Sequence, residues 1–353
     1  LPLILLSLSS KTHFCTCLCN APIIFNFGDS NSDTGGISSG VGFPVNLPNG
    51  RTFFGLSTGR LSDGRLLIDF LCESINTSFL RPYLDPFDSI FTNGANFAIA
   101  GSATLPRYTP FALNIQVMQF KYLKLRSAQL AAAGSKNVIG DDMFGKALYM
   151  IDIGQNDIAD SLTKGQSVKA KIPQVLAEIK GAIVELYGEG GRKFWVHNTG
   201  PIGCLPQKLA DYTNRTSAKK LVDAHGCISS YNSAAKELND GLSIVCSELR
   251  SQMKDATIVY VDIYSIKLDV IVNYTNYGLT NPLMACCGSG GPPYNYDRSV
   301  TCGFSGYEVC DATSRYVSWD GVHYTDAANS VISAKVLSME YSTPAAGFDF
   351  FCR

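Results

Sequence analysis

The stretch 21–36 constrains the fold of this chain more than any other part of the sequence. Residues 23–27 form a short apolar run with β-branched and aromatic side chains, which is typical of a strand buried on both faces. Gly28 ends the run, and the polar residues 29–31 form a turn. A strand that stops in this way places the hydroxyl of Ser30 at the carboxyl edge of a sheet, where open α/β folds bind their ligands. An ordinary strand-to-turn transition uses the same residue types, so the rest of the chain must decide between the two interpretations.

Downstream, apolar runs typical of strands alternate with stretches that have helical periodicity. The further predicted strands are 97–100, 147–153, 193–197 and 257–263, and the predicted helices are 66–75, 111–133, 167–187, 217–253 and 326–340. This alternation predicts an α/β fold in which a mostly parallel central sheet of about five strands is covered by helices on both faces.

The composition is that of a globular protein with a sizeable core, since 46% of the 353 residues are hydrophobic and 17% are charged. The net charge of -1 gives no basis for nucleic-acid binding or for a basic membrane-surface patch. We expect residues 1–19 to be the remnant of a signal peptide, with a short apolar strand as the alternative, and 20–353 to form a single domain. No later run reaches the roughly 18 apolar residues of a membrane helix.

Several features predict a secreted glycoprotein. The chain has twelve cysteines, which agrees with an oxidising compartment. Four of them lie close together in the Gly-, Pro- and Tyr-rich segment 277–318, which we interpret as a disulfide-stapled loop. Glycosylation sequons occur at Asn76, Asn214 and Asn273. The cysteines between 15 and 19 fit no zinc spacing, and we predict no metal and no cofactor.

Four blocks of the sequence give a more specific indication. They are Phe-Gly-Asp-Ser-Asn-Ser-Asp-Thr-Gly at 27–35, Gly-Ala-Asn-Phe-Ala-Ile-Ala-Gly-Ser-Ala-Thr at 94–104, Ile-Gly-Gln-Asn-Asp at 153–157 and Asp-Gly-Val-His at 320–323. In this order they resemble the blocks of the GDSL esterase/lipase family, also called SGNH hydrolases, and the plant-type branch most of all. The resemblance covers residues 21 to about 340, with Asn31 in place of the leucine of the family name. It implies a flavodoxin-like three-layer α/β/α fold and a single domain.

The resemblance also implies a set of site residues, in which Ser30, Gly101, Asn156 and His323 match the family's Ser, Gly, Asn and His. The residues themselves support these roles. A serine hydroxyl needs a neighbouring base, and Asp320 lies three positions before His323, where its carboxylate can hold one imidazole nitrogen. The backbone N–H groups of Ser30 and Gly101 and the Asn156 amide can donate to a negatively charged oxygen. The alternatives are a turn-capping Ser30, a Gly101 that only permits tight packing, and an Asn156 that only forms a turn.

Other candidate groups are weaker. We expect His197 to bond a backbone group and His225 to be solvated. The carboxylates Asp29, Asp33 and Asp157 suggest a paired-carboxylate glycosidase, but such residues near strand ends are usually turn formers. The Gly-rich segment at 288–291 has no lysine or following helix for a phosphate.

We therefore predict a secreted serine esterase or lipase that hydrolyses a small-molecule or glycan ester through an acyl-enzyme. We expect it in the cell wall or apoplast, with the vacuole as the alternative location. Acetylated sugars, phenolic esters and short acyl lipids are all compatible substrates, and the oligomeric state stays open. Two other functions compete with this one. The same acyl-enzyme could transfer its acyl group to an alcohol, or the protein could be a non-catalytic glycoprotein that binds carbohydrate.

Overall fold

The computed structural model describes residues 21–87, 90–107, 109–215 and 222–352. The expected signal segment 1–19 lies outside these residues. The strands are, in chain order, β1 (Ile24–Gly28), β2 (Gly94–Asn96), β3 (Leu148–Asp152), β4 (Lys193–His197), β5 (Thr257–Val261), β6 (Thr280–Ala285), β7 (Cys287–Gly288), β8 (Glu308–Val309), β9 (Tyr316–Ser318) and β10 (Ser342–Thr343). The helices are α1 (Gly36–Val41), α2 (Leu67–Ser74), α3 (Leu113–Ala132), α4 (Asp141–Phe144), α5 (Gln155–Thr163), α6 (Val168–Gly188), α7 (Pro206–Arg215), α8 (Ser229–Gln252), α9 (Ile263–Val272) and α10 (Asp326–Leu337).

Within the described residues, six strands form the central sheet in the order β10-β5-β4-β3-β1-β2. Strands β1 to β5 are parallel to their neighbours, whereas β10 pairs antiparallel with β5 at the edge. The parallel order 2-1-3-4-5 is that of flavodoxin-like folds, which bind ligands where β1 and β3 lie side by side. The predicted α/β fold with a mostly parallel sheet is therefore confirmed. The edge strand β10 was not predicted, because two residues are too few to show a pattern.

Alternate side chains along the central strands enter two different cores. Phe25 and Phe27 of β1 pack against Phe120 of α3 on one face of the sheet. Ile24 of the same strand lies on the other face, in a cluster that includes Leu71 of α2. Full burial of a side chain of this size contributes roughly 1.5–3 kcal/mol. Helices α3, α5, α6 and α8 cover the first face and α2, α9 and α10 the second, so the helical layers fix the strands from both sides.

The predicted helix 217–253 begins much later, at Ser229, although its first residues include some outside the described part of the chain. A disulfide between Cys204 and Cys227 ties the preceding segment to the loop after β4. The Asp223 carboxylate also accepts hydrogen bonds from the backbone N–H groups of His225 and Cys227. These bonds hold a turn at 223–227, where the sequence predicted helix.

The second predicted strand also differs from the structure. Strand β2 covers Gly94–Asn96, and the buried run 97–100 that predicted it lies just beyond. Phe97 and Ile99 still donate backbone hydrogen bonds to the strand β1 carbonyls. The run is therefore extended beside β1. Its apolar side chains indicate that it is buried, but they do not indicate where strand β2 begins and ends. Five of the helices were also not predicted: α1, α4, α5, α7 and α9. Of these, α5 follows directly after β3.

The cysteine-rich segment is stapled as expected. Disulfides join Cys286 to Cys310 and Cys287 to Cys302. The backbone N–H groups of Cys286 and Cys287 donate to the carbonyls of Ser318 and Trp319. The stapled loop is therefore attached to the segment that leads to residues 320–323. The exposed side chains of Asn76 and Asn273 are accessible to glycosylation, whereas the Asn214 side chain lies outside the described residues.

Reducing agents are expected to lower the melting temperature, because each of these disulfides restricts the unfolded chain. A native disulfide typically contributes about 2–4 kcal/mol. Thermal unfolding followed with and without dithiothreitol measures the effect. In a variant with Cys286→Ser, Cys287→Ser, Cys302→Ser and Cys310→Ser, dithiothreitol should have a much smaller additional effect. An unchanged melting temperature on full reduction of the wild-type protein would contradict the prediction.

Candidate active site

Ser30 lies just beyond the carboxyl end of β1. The side chain of Gln116, on α3, accepts a hydrogen bond from the N–H of Gly28 at 2.9 Å and donates one to its carbonyl at 2.8 Å. Both backbone groups of the last strand residue are thus satisfied by one side chain. In the turn that follows, the Asp29 carboxylate accepts hydrogen bonds from the backbone and side-chain N–H groups of Asn31, each at 3.0 Å. The backbone on both sides of Ser30 is therefore fixed before any substrate binds.

The buried carboxylate of Asp33 connects this turn to the segment after β2. It accepts hydrogen bonds from the backbone N–H groups of Gly35, Gly36 and Ile37, and also from that of Ala100 at 2.7 Å. Burial raises the pKa of Asp33, although these N–H groups oppose the shift. The link places the residue after Ala100 next to the turn that carries the serine.

Gly101 and Asn156 bring hydrogen-bond donors to the same place. The positive φ of 81° at Gly101 is a backbone conformation that favours glycine. The N–H groups of Ser30 and Gly101 make no hydrogen bond with any described residue. Asn156 lies in the first turn of α5, and its amide nitrogen donates to the Ser102 carbonyl at 2.8 Å. The same nitrogen is 3.4 Å from a carboxylate oxygen of Asp29, so its second proton is held only weakly.

Asp320 and His323 form a pair on the loop before α10. A carboxylate oxygen of Asp320 lies 2.6 Å from Nδ1 of His323. The other oxygen accepts the backbone N–H groups of Val322 and His323, at 2.9 and 2.8 Å. The end of the loop is anchored where the N–H of Asp326 donates to the Asp63 carboxylate at 2.7 Å. This geometry fixes the imidazole ring with Nδ1 toward the carboxylate.

The two members of this pair shift each other's pKa. Burial disfavours the charged form of Asp320, but the His323 imidazole and the N–H groups of the loop outweigh it and lower the pKa of Asp320. Burial likewise disfavours the imidazolium form of His323. The Asp320 carboxylate outweighs it, helped by the charge of Asp29, and the pKa of His323 is raised above its ordinary value.

The structure brings four of the five predicted site residues to one cavity of about 280 Å³. These four are Ser30, Gly101, Asn156 and His323. Asp320 lies behind His323, and the Nε2 atom of His323 is buried without a hydrogen-bond partner among the described residues. The remaining lining residues are Leu61, Ala100, Arg107, Ala159, Asp160, Thr163, Gln207, Lys208 and Val322. The cavity therefore holds a hydroxyl, a free imidazole nitrogen and several N–H donors together.

A second set of charged groups is buried close to Ser30. Burial and the neighbouring charge of Asp152 raise the pKa of Asp29 to about 7. Lys267 is buried as well, and its Nζ lies 3.4 Å from the side-chain oxygen of Asn31. Burial lowers the pKa of Lys267 although both carboxylates oppose the shift. The charges of Asp29, Asp152 and Lys267 therefore contribute to the electrostatic potential around Ser30.

The other two histidines of the described residues, His197 and His225, do not line the cavity. The prediction that His197 bonds a backbone group was wrong. Its Nε2 accepts a hydrogen bond from the indole N–H of Trp195 at 2.9 Å, and its Nδ1 lies 3.5 Å from an Asp152 carboxylate oxygen. Trp195 lies two residues earlier on the same strand, whereas Asp152 lies at the end of the neighbouring strand β3, a pairing that local sequence does not reveal. His225 is exposed, as predicted, but lies in a turn and not in a helix.

Sequence reasoning missed the residues that position the site and two charged residues that line its cavity. Gln116 is an ordinary helical residue in the sequence, and Asp33 was interpreted only as a turn former. Arg107 and Lys208 line the cavity from segments that had no motif.

In the described part of the chain, no group of three or more His, Cys, Asp or Glu residues is arranged to hold a metal ion. No helix among those residues is long and apolar enough to cross a membrane.

Comparison with known proteins identifies the family of the chain. The family model for GDSL-like lipase/acylhydrolase matches residues 24–336. A GDSL esterase/lipase of Arabidopsis thaliana is 61% identical over 338 residues, which cover 94% of this chain and 90% of the relative. The GDSL esterase/lipase LIP-4 of the same plant is 57% identical over 361 residues, covering 100% of this chain and 94% of the relative. Alpha-L-fucosidase 3 of Arabidopsis thaliana is 42% identical over 356 residues, covering 94% of each chain. The family model and the relatives both span nearly the whole sequence, and the chain belongs to the GDSL-like lipase/acylhydrolase family.

Proposed function

We propose that this protein is a secreted serine hydrolase that cleaves carboxylic esters through an acyl-enzyme. Its membership of a lipase/acylhydrolase family supports ester hydrolysis as the reaction. The observation that carries the assignment to particular residues is the shared cavity of Ser30, Gly101, Asn156 and His323, with Asp320 bonded behind the histidine. A hydroxyl, a base and oxyanion donors are the groups that acyl transfer requires.

In the first step, the Ser30 hydroxyl attacks the acyl carbon and its proton passes to Nε2 of His323. Asp320 holds Nδ1, which orients the ring and stabilises the imidazolium that forms. The alcohol then leaves with the proton from Nε2. In the second step, a water molecule gives a proton to Nε2 and attacks the acyl-enzyme, and the carboxylic acid leaves as Ser30 regains its proton.

The negative oxygen of each tetrahedral intermediate needs donors that are already in position. The backbone N–H groups of Ser30 and Gly101 are unused by the described residues, and the bond to the Ser102 carbonyl orients the Asn156 amide. We assign these three donors to the oxyanion hole. Their fixed positions mean that little reorganisation is needed when charge develops.

An alcohol that reaches the acyl-enzyme before water would turn the same chemistry into acyl transfer. The intermediate is identical, so the ratio of acid to new ester formed in the presence of a candidate acceptor distinguishes the two reactions. The intact set of nucleophile, base and donors argues against a purely carbohydrate-binding protein. Covalent labelling of Ser30 by an organophosphate tests that alternative directly.

The name of the fucosidase relative raises the possibility of glycoside cleavage. A retaining or inverting glycosidase places two carboxyl groups at the cavity. Among the described lining residues, Asp160 is the only carboxylate, and it is paired with Arg107 at 3.0 Å. This lining supports ester cleavage, and the absence of turnover of an aryl α-L-fucoside would agree with it.

Export from the cell is the other part of the proposal. Three disulfides join described cysteines, and two of the three sequons have exposed asparagines. Disulfides persist in oxidising compartments. Release of a disulfide-bonded, glycosylated protein into the medium of expressing plant cells would test this location.

Ser30→Ala is expected to reduce kcat for an activated aryl ester by roughly 10⁴-fold or more, because the attacking oxygen is removed. The melting temperature should stay close to that of the wild type. Ser39→Ala, an exposed serine in α1, is the matched control and should retain activity. Turnover by Ser30→Ala near the wild-type rate, with organophosphate labelling at another residue, would overturn the assignment.

The pH profile should report the protonation of His323. Only the neutral imidazole can act as the base, and the raised pKa of His323 places the rising limb of kcat/KM above the ordinary value of about 6.5. Asp320→Asn removes the carboxylate charge, so the limb should move to lower pH while kcat falls. A wild-type profile that is flat from about pH 5 to 9, with chemistry rate-limiting, would contradict this role.

Asn156→Ala tests the oxyanion hole. The donor matters mainly when charge develops on the substrate oxygen, so kcat should fall by roughly 10²–10³ with little change in KM. Asn156→Asp should be at least as damaging, because a carboxylate repels the oxyanion. A role in the turn alone would lower the melting temperature and leave the activity of the folded fraction intact. If both variants keep kcat within about threefold of the wild type, Asn156 is not an oxyanion donor.

A further inference from the structure

The wall of the cavity beside the loop 320–323 carries an unneutralised cation, on a helix whose residue Gln207 donates its backbone N–H to the Gly321 carbonyl of that loop. Lys208 lies in the first turn of α7 and lines the cavity that contains Ser30 and His323. Its Nζ makes one long contact, 3.5 Å to the hydroxyl of Thr163. No Asp or Glu oxygen of the described residues lies within 4.0 Å of this nitrogen, although the side chain is half-buried. A half-buried charge in a protein usually has a partner of opposite charge, so the lack of one at Lys208 needs an explanation.

The two carboxylates whose charges act on Lys208 already have partners. Asp160 is paired with Arg107 at 3.0 Å, and Asp211 is paired with Arg298 at 2.5 Å. Burial lowers the pKa of Lys208; the charges of Asp211 and Asp160 oppose this shift, and those of Arg298 and Arg107 add to it. The amino end of a helix is also a positively polarised position, where an anion is stabilised and a cation is not. This wall therefore has an excess of positive charge that faces the reacting groups.

The other residues that line the cavity limit the size of a ligand that could bring a negative charge to Lys208. The apolar residues among the described lining are Leu61, Ala100, Ala159 and Val322, all aliphatic and most of them small. A cavity of about 280 Å³ with this lining suits short substituents better than a long acyl chain. The compensating group must therefore belong to a compact substrate.

We propose that Lys208 is a specificity-determining residue that binds a carboxylate on the ester substrate, so that the preferred substrates are short esters with an anionic acyl or alcohol part. The proposal rests on the proposed ester hydrolysis at Ser30. A charged hydrogen bond between Lys208 and the substrate would replace the missing counter-charge. Arg107 keeps the Asp160 carboxylate engaged, which leaves the Lys208 ammonium available.

Two pairs of matched esters test this recognition and show which part of the substrate carries the charge. On the alcohol side, meta-acetoxybenzoate is compared with its neutral methyl ester. On the acyl side, para-nitrophenyl hydrogen glutarate is compared with para-nitrophenyl pentanoate, after subtraction of the uncatalysed rates. The measured quantity is the ratio of kcat/KM for the anionic ester to kcat/KM for its neutral twin. The wild-type ratio should exceed unity in at least one pair and fall as salt is added.

Lys208→Gln should lower that ratio by about tenfold, since the charged partner of the substrate is removed. Lys208→Arg keeps the charge and should preserve most of the ratio. Lys146→Gln is the control, because it removes one positive charge from an exposed lysine just before β3, at the opposite edge of the sheet. It should change neither the ratio nor the activity. A ratio that stays within about twofold in both pairs after Lys208→Gln would overturn the proposal.

Binding measured without turnover separates this proposal from the hydrolase proposal. In the Ser30→Ala protein, calorimetric titration should show tighter binding of meta-acetoxybenzoate, or of glutarate monomethyl ester, than of the neutral twin. Adding Lys208→Gln should abolish the difference. If this binding is seen but no ester is hydrolysed, anion recognition stands and ester hydrolysis fails. If Ser30-dependent hydrolysis is seen but neither the ratio nor the binding responds to Lys208, ester hydrolysis stands and anion recognition is overturned.

Discussion

The candidate site depends on one buried carboxylate, that of Asp33. It accepts N–H groups from Gly35, Gly36 and Ile37 in the turn after β1, and from Ala100 in the segment after β2. A buried N–H without a partner costs about 1–3 kcal/mol, so the four bonds favour this arrangement of the two segments strongly over any other. The serine turn and the glycine donor are held together as a consequence.

The strand order explains why the segments that follow β1 and β2 lie next to the segment that follows β3. In the 2-1-3-4-5 order, β1 lies between β2 and β3, so the loops that follow these three strands share one edge of the sheet. Ser30 follows β1, Gly101 follows β2 and Asn156 follows β3. The loop before α10 then adds His323 from the carboxyl-terminal part of the chain, with the disulfide-stapled loop attached behind it. Ser30, Gly101, Asn156 and His323 thus come from four different segments of the chain, each held by the packed sheet and helices.

Charge is distributed unevenly around the cavity. On the side of the histidine, Asp320 and His323 compensate each other and shift their pKa values in opposite directions. Lys208, in another part of the lining, has no such partner among the described residues, because the carboxylates near it are held by arginines. The first arrangement is the one that the proposed mechanism uses to move a proton, and the second is the basis of the proposed recognition of an anion. Neither depends on the other, so reaction and recognition can be examined separately.

The sequence by itself determined the fold class, the family and the identity of the residues that now line one cavity. The sequence was sufficient to identify Ser30, Gly101, Asn156 and His323, because each belongs to a short block of residues that resembles a block of the family. The tertiary structure alone decided the edge strand β10, the start of α8, the approach of Asp152 to His197 and the positions of Gln116 and Lys208. These features depend on contacts between segments far apart in the chain, and side-chain periodicity carries no information about such contacts. Local patterns report which face of an element is buried, whereas the partner across that face is fixed only when the chain folds.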